Sequence, residues 1–150
     1  MSTSRTFVAG DVLTAAQQNG LSQGQLGYAQ VTANQTAIVA TVDLTGLSVA
    51  VTVVTGRRIK ITAHVDFVND TINGAAALFL LQDGTQIQRF YTSPSPAANQ
   101  PMGAHLSHVL SPSAGSHTYK LQGARSNTGT VIMEAAATYP AFILVEDAGV

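Results

Sequence analysis

Residues able to do chemistry are few and scattered. Four histidines, eight carboxylates and seven Lys or Arg side chains stand among 150 residues, and there is no cysteine. Thiolate zinc ligation, disulfides and a cysteine nucleophile are therefore excluded. His105 and His108 are the closest histidine pair, but residues three apart on a strand point to opposite faces, whereas one metal ion needs converging donors. A shared ion would need one histidine from each of several chains around a symmetry axis. His64 and Asp66 fall on the same side of a strand and, with a nearby serine, could be assembled into a nucleophilic triad. Yet no Gly-x-Ser-x-Gly elbow occurs, and the carboxylates stand singly rather than in the pair that glycoside hydrolysis uses. Neither a catalytic site nor a cofactor is expected, since no glycine-rich loop leads into a Lys-bearing helix.

Asp66, Asp70 and Asn73 offer oxygens near one strand end, short of the roughly six to eight that calcium recruits. Two aspartates in a turn ordinarily cap it, and no metal is expected. Asn34-Gln35-Thr36 and Asn69-Asp70-Thr71 match the glycosylation acceptor pattern, but without a secretory route the match has no consequence. Arg57, Arg58 and Lys60 form the one basic cluster. No aromatic residue interleaves with it as a nucleic-acid stacking platform requires, so it reads as charge protecting an edge strand, with contact to an acidic neighbour as the alternative.

The elements that would position these residues follow from composition and period. Charged residues make up 10% of the chain, against about 25% in an average domain, and polarity is carried instead by Thr, Ser, Gln, Asn and Gly. A net charge of −1 leaves no basic footprint for nucleic acid. The longest apolar run, 75–81, is far short of the roughly 20 residues that span a bilayer, so no membrane insertion is expected. The opening residues lack the basic and apolar regions of a secretory signal, and folding in a cytoplasm is expected.

Composition shifts near Gly24 to Gly27, dividing the chain into an arm, 1–26, and a body, 27–150. In the arm, Thr14 before Ala15, Ala16, Gln17, Gln18 and Asn19, then Gly20, reads as an N-cap, a turn or two of helix and a glycine stop. A helix so short is marginal in water, so Phe7, Val8, Val12, Leu13 and Leu21 must pack on the body or a neighbouring chain. In the body, short β-branched segments broken by Gly, Asn, Asp, Ser or Pro predict strands over 28–33, 37–43, 49–55, 58–69, 76–82, 85–92, 102–110, 115–124, 130–137 and 141–146. Strict alternation puts Ile59, Ile61, Ala63, Val65 and Phe67 on one buried face. Asp83-Gly84 predicts a two-residue hairpin turn. Pro94, Pro96 and Pro101 make 92–101 a surface loop. The fold class expected is all-β: an antiparallel jelly-roll sandwich preceded by an extended or short-helical arm. Tyr91, beside the proline loop, is the tyrosine best placed to bind carbohydrate.

Two stretches resemble virion proteins of tailed bacteriophages, particularly those infecting actinobacteria. One is the arm from Arg5 through Phe7, Val8, Gly10, Asp11, Val12, Leu13, Thr14 and Ala15 to Asn19, which looks like the opening of many phage minor tail proteins, with Phe7 where Trp is common. The other is 114–122, reading Ala-Gly-Ser-His-Thr-Tyr-Lys-Leu-Gln, together with 142–149. It is similar to the last strands of jelly-roll modules in phage fibres, adhesins and decoration proteins, related in form to trimeric tumour-necrosis-factor and complement-head sandwiches. The resemblance implies a virion-surface structural protein without enzymatic activity, assembled in the host cytoplasm as a homotrimer. Arg5, Phe7, Val8, Val12, Leu13 and Leu21 would anchor it to tail or major capsid proteins. Loop residues Asp70, Asn73, Tyr91 and Asn99 would face outward, toward host glycan in a minor tail or fibre-tip protein. A capsid decoration protein at threefold sites, or a carbohydrate-binding module, is the alternative.

Overall fold

A computed structural model describes residues 24–150, so the arm residues from Arg5 to Leu21 lie outside the described residues. The described chain forms ten strands: β1 (Gly24–Val31), β2 (Gln35–Ile38), β3 (Val42–Val53), β4 (Arg58–Asn69), β5 (Ala76–Gln82), β6 (Thr85–Tyr91), β7 (Pro101–Leu110), β8 (Gly115–Arg125), β9 (Val131–Glu134) and β10 (Ala141–Gly149). Strand β1 begins at Gly24, opposite Asp147, so three residues that composition assigns to the arm lie in the sheet.

The organising element is β4. Its alternating residues Ile59, Ile61, Ala63, Val65 and Phe67 are completely buried, as the period of two requires. Full burial of an Ile or Phe contributes about 1.5–3 kcal/mol. On one flank β4 pairs with β7 along its length; on the other it pairs first with β10 and then with β9. Strand β1 continues the sheet beyond β10, and β2 beyond β9. The second sheet runs β3-β8-β5-β6. Pairing is antiparallel throughout, and the orders β1-β10-β4-β7 and β3-β8-β5-β6 are those of an eight-stranded jelly roll. Ile143, Val145, Leu78, Leu80, Tyr119 and Leu121 fill the space between the sheets.

Two sequence expectations change here. Strands expected at 37–43 and 49–55 are differently divided. Ala37 adopts φ 61° where the pairing of β2 with β9 shifts register and β2 ends at Ile38, whereas Gly46, which reads as a break, is a bulge at φ 85° inside one continuous strand β3. Residues 44–47 there stand opposite a single residue of β8, Leu121. The basic cluster does not guard an edge, because β4 is flanked on both sides. Arg57 instead is buried against Asp147, with Nη2 2.6 Å from Oδ2, and Lys60 lies 3.8 Å from Glu146. The hairpin at Asp83-Gly84 has positive φ at both positions, 50° and 84°, as its turn type demands.

Candidate functional site

Antiparallel register sorts the connections to two ends of the sandwich. Gly24, the 54–57 turn, the Asp83-Gly84 turn, the 111–114 loop and the end of β10 share one end, the arm-side pole. The 70–75, 92–100 and 126–130 connections gather at the other, the loop pole.

The loop pole is tied together by amides. Asn69, wholly buried at the end of β4, donates from Nδ2 to the Thr128 carbonyl at 2.8 Å and accepts from the Thr71 amide at 3.0 Å. Its own carbonyl accepts from the Asn99 amide at 2.8 Å, so one residue joins three connections. Asn127 Oδ1 accepts from the Ala75 amide at 2.7 Å, and its Nδ2 donates to the Asn73 carbonyl. Asn73 in turn donates from its backbone to the Ser95 carbonyl at 2.8 Å. Asp70 Oδ1 accepts from the Thr130 amide at 2.7 Å and the Thr71 hydroxyl at 2.8 Å. The Thr130 and Thr71 hydrogen bonds hold the Asp70 carboxyl below its ordinary pKa.

Of the loop residues picked from the sequence, Asp70, Asn73 and Asn99 thus belong to one bonded surface, and Asn73 and Asn99 hold left-handed φ of 62° and 59°. Tyr91, half-exposed, ends β6 beside them, on a pocket of about 330 Å³ that also takes in Ser93, Pro94, Gln100 and Pro101. Arg89 lies 5.4 Å over its ring, and Phe79 meets it edge to face at 6.4 Å. Ile72 stands exposed at the tip of the 70–75 connection. This surface offers amides, hydroxyls and a tyrosine ring, the groups of recognition by hydrogen bonding and stacking. Asn69 and Asn127 were not singled out for this role by sequence reasoning; Asn69 drew notice only in an acceptor pattern that its burial makes unusable.

The remaining candidates separate. His105 points outward from β7 and His108 toward the core side, as residues three apart must. Asp66 and Asp70 do not converge: Asp66 Oδ1 lies 3.4 Å from His64 Nε2 on the outer face of the six-stranded sheet, while Asp70 is engaged by its loop. Among the described residues, no group of three His, Asp or Glu side chains is arranged to hold a metal ion.

That outer face carries two cross-strand rows. One runs Gln30, Phe142, His64 and His105, and the other Tyr28, Leu144, Thr62 and Ser107. The Tyr28 and Phe142 rings lie 6.0 Å apart, and His64 lies 6.2 Å from both Phe142 and His105. The Thr62 hydroxyl is buried and has no hydrogen-bond partner among the described residues.

No family model and no curated protein sequence matches the chain. Solved structures do. Eiger TNF from S. frugiperda superposes with a TM-score of 0.56 at 11% identity, over 83% of this chain and 94% of that one. The fold is a TNF-like jelly roll. Dimeric latent PorU from Porphyromonas gingivalis gives 0.50 at 13% identity, over 84% of this chain and 13% of that one. The CBM36-1 domain of a multidomain xylanase from the hindgut metagenome of Trinervitermes trinervoides gives 0.46 at 16% identity, over 83% and 98%. At these identities the likeness is one of fold, and function rests on the surfaces just described.

Proposed function

We propose that this chain is a non-enzymatic structural protein of a tailed-phage virion, held to the particle by its N-terminal arm and presenting the loop pole outward. The observation that carries this reading is the polarity of the body. The chain enters the sandwich at Gly24 beside Asp147, while the bonded surface of Asp70, Asn73 and Asn99 lies at the far ends of the strands. A subunit anchored through residues 1–23 would hold that surface away from its support, as attachment to a host envelope requires. The phage-like opening around Phe7 to Asn19 supplies the virion context. We assign the chain to the minor tail or fibre tip, where Tyr91 and the neighbouring pocket would meet host glycan.

The same reading makes the body a homotrimer. The aromatic rows through Tyr28, Phe142 and His64 form a half-exposed face on the six-stranded sheet, and burying them between subunits removes apolar surface from water. Decoration of a capsid at threefold sites is the second reading; it shares the arm and the trimer, and differs in copy number. Quantitative mass spectrometry of purified particles, normalised to the major shell protein, separates them. A handful of copies in a multiple of three is expected. Hundreds would move the protein to the shell, and absence from particles would overturn both.

A further inference from the structure

Each ring nitrogen of the buried His117 has within reach a group that only accepts hydrogen bonds. Nδ1 lies 2.7 Å from Asp83 Oδ2 in the β5–β6 turn, and Nε2 lies 2.9 Å from the carbonyl of Ser113 in the β7–β8 loop. Making both bonds therefore takes a proton on each nitrogen, the imidazolium form. A neutral ring has one N–H. A proton kept on Nε2 holds the Ser113 carbonyl and leaves Nδ1 an acceptor facing the carboxylate, whereas one kept on Nδ1 holds Asp83 and leaves Nε2 an acceptor facing the Ser113 carbonyl, so a neutral ring keeps one of the two bonds. A donor for the first case is already in place, because Gln82 Nε2 lies 3.1 Å from Nδ1. Two arrangements thus share one site. The imidazolium ties Asp83 to Ser113; the neutral ring holds one of them and lets the other go, with Gln82 bonding Nδ1 when Asp83 is the one released. Asp83 Oδ1 accepts from the Thr118 amide at 2.7 Å in either case.

We propose that His117 is a proton-operated latch at the arm-side pole, tying the Asp83-Gly84 turn to the 111–114 loop when protonated and holding only one of the two when neutral. This is independent of what the protein binds. The electrostatic surroundings are simple: among the described residues, Asp83 is the one charged group acting on the ring. Tyr119, two residues along β8, has its phenol pushed up to about 12, by burial first and Asp83 second, and stays neutral throughout. The hydrogen bond to Asp83, and then that to Ser113, raises the His117 pKa above its ordinary 6.5. The bond from His117, then that from Thr118, lowers Asp83 below its ordinary 3.8.

The signs follow. A raised histidine stabilises fully below about pH 6.5, and that contribution is lost as pH rises through the folded-state value. A lowered aspartate stabilises above about pH 3.8, and its contribution is lost as pH falls through its folded-state value. The latch is tightest between those limits and opens toward alkaline pH.

Nitrogen-15 NMR of the full chain tests this. His117 should titrate above 6.5, with both ring N–H protons present on the acid side. Amide protection factors at residues 83–85 or at 113–115, corrected for intrinsic exchange, should fall about tenfold through that titration, a loss of the size of one charge-assisted bond. Protection at Thr71 and Thr130 should not change with it. Asp83→Asn keeps an acceptor for Thr118 and removes the charge, so the His117 titration should drop and the step in protection disappear. A His117 pKa at or below 6.5 would overturn the latch, as would protection that stays constant at both 83–85 and 113–115 through the titration.

Discussion

At the loop pole, neutral amides do most of the joining: Asn69 and Asn127 bridge the 70–75, 92–100 and 126–130 connections, and the Asp70 carboxylate adds a tie between two of them. At the arm-side pole the joints are ionic, with Arg57 against Asp147 and His117 against Asp83. The difference teaches how a lightly charged chain divides its work. Amides do not titrate, so this network holds its shape at any pH that keeps Asp70 ionised, which suits the surface proposed to meet a partner. Ionic joints respond to protons, which makes the end of the body that carries Gly24 the pH-sensitive one.

The strongest way to break this contrast is at Asp147. Replacing it with Ala leaves the Arg57 guanidinium buried without its carboxylate, and should cost about 3–5 kcal/mol in urea unfolding at neutral pH. A loss under 1 kcal/mol would show that the pair is dispensable and that the arm-side pole is held by packing. Next is Asn69→Ala, which strips a donor and an acceptor from buried partners and should cost about 2–3 kcal/mol. Hydrogen exchange should accelerate at 70–75 and 126–130 while the His117 titration stays in place; a uniform acceleration would mean the two poles are not separable. The smallest effect is expected at Tyr119, whose hydroxyl is buried with no hydrogen-bond partner among the described residues. Tyr119→Phe should be neutral or stabilising by about 1 kcal/mol in the same unfolding measurement, and a clear destabilisation would reveal a partner for that hydroxyl.

Legibility in the sequence followed the range of the interaction. Strand β4 could be bounded from its period alone, and the Asp83-Gly84 turn from its residue types, because both are local. Gly46 misled because a glycine marks a bulge as readily as a break, and only the partner strand β8 decides between them. Ala37 carries no sequence sign of a left-handed conformation. Arg57 and Asp147 are 90 residues apart, and nothing local announces their pairing. At the candidate site, Asp70, Asn73 and Asn99 could be placed on outward connections, but the convergence of those connections on buried Asn69 depends on antiparallel register. His117 was quoted only within a family-like stretch, and Asp83 only as a turn former.

Anchoring through the arm is tested most directly by deleting residues 1–23 and asking whether the remaining body attaches to purified particles. The shortened chain should keep its β circular dichroism and its trimeric mass in light scattering, because β1 starts at Gly24, yet fail to co-sediment with particles that bind the full chain. Co-sedimentation equal to that of the full chain would contradict an anchoring arm and shift attachment to the sandwich itself.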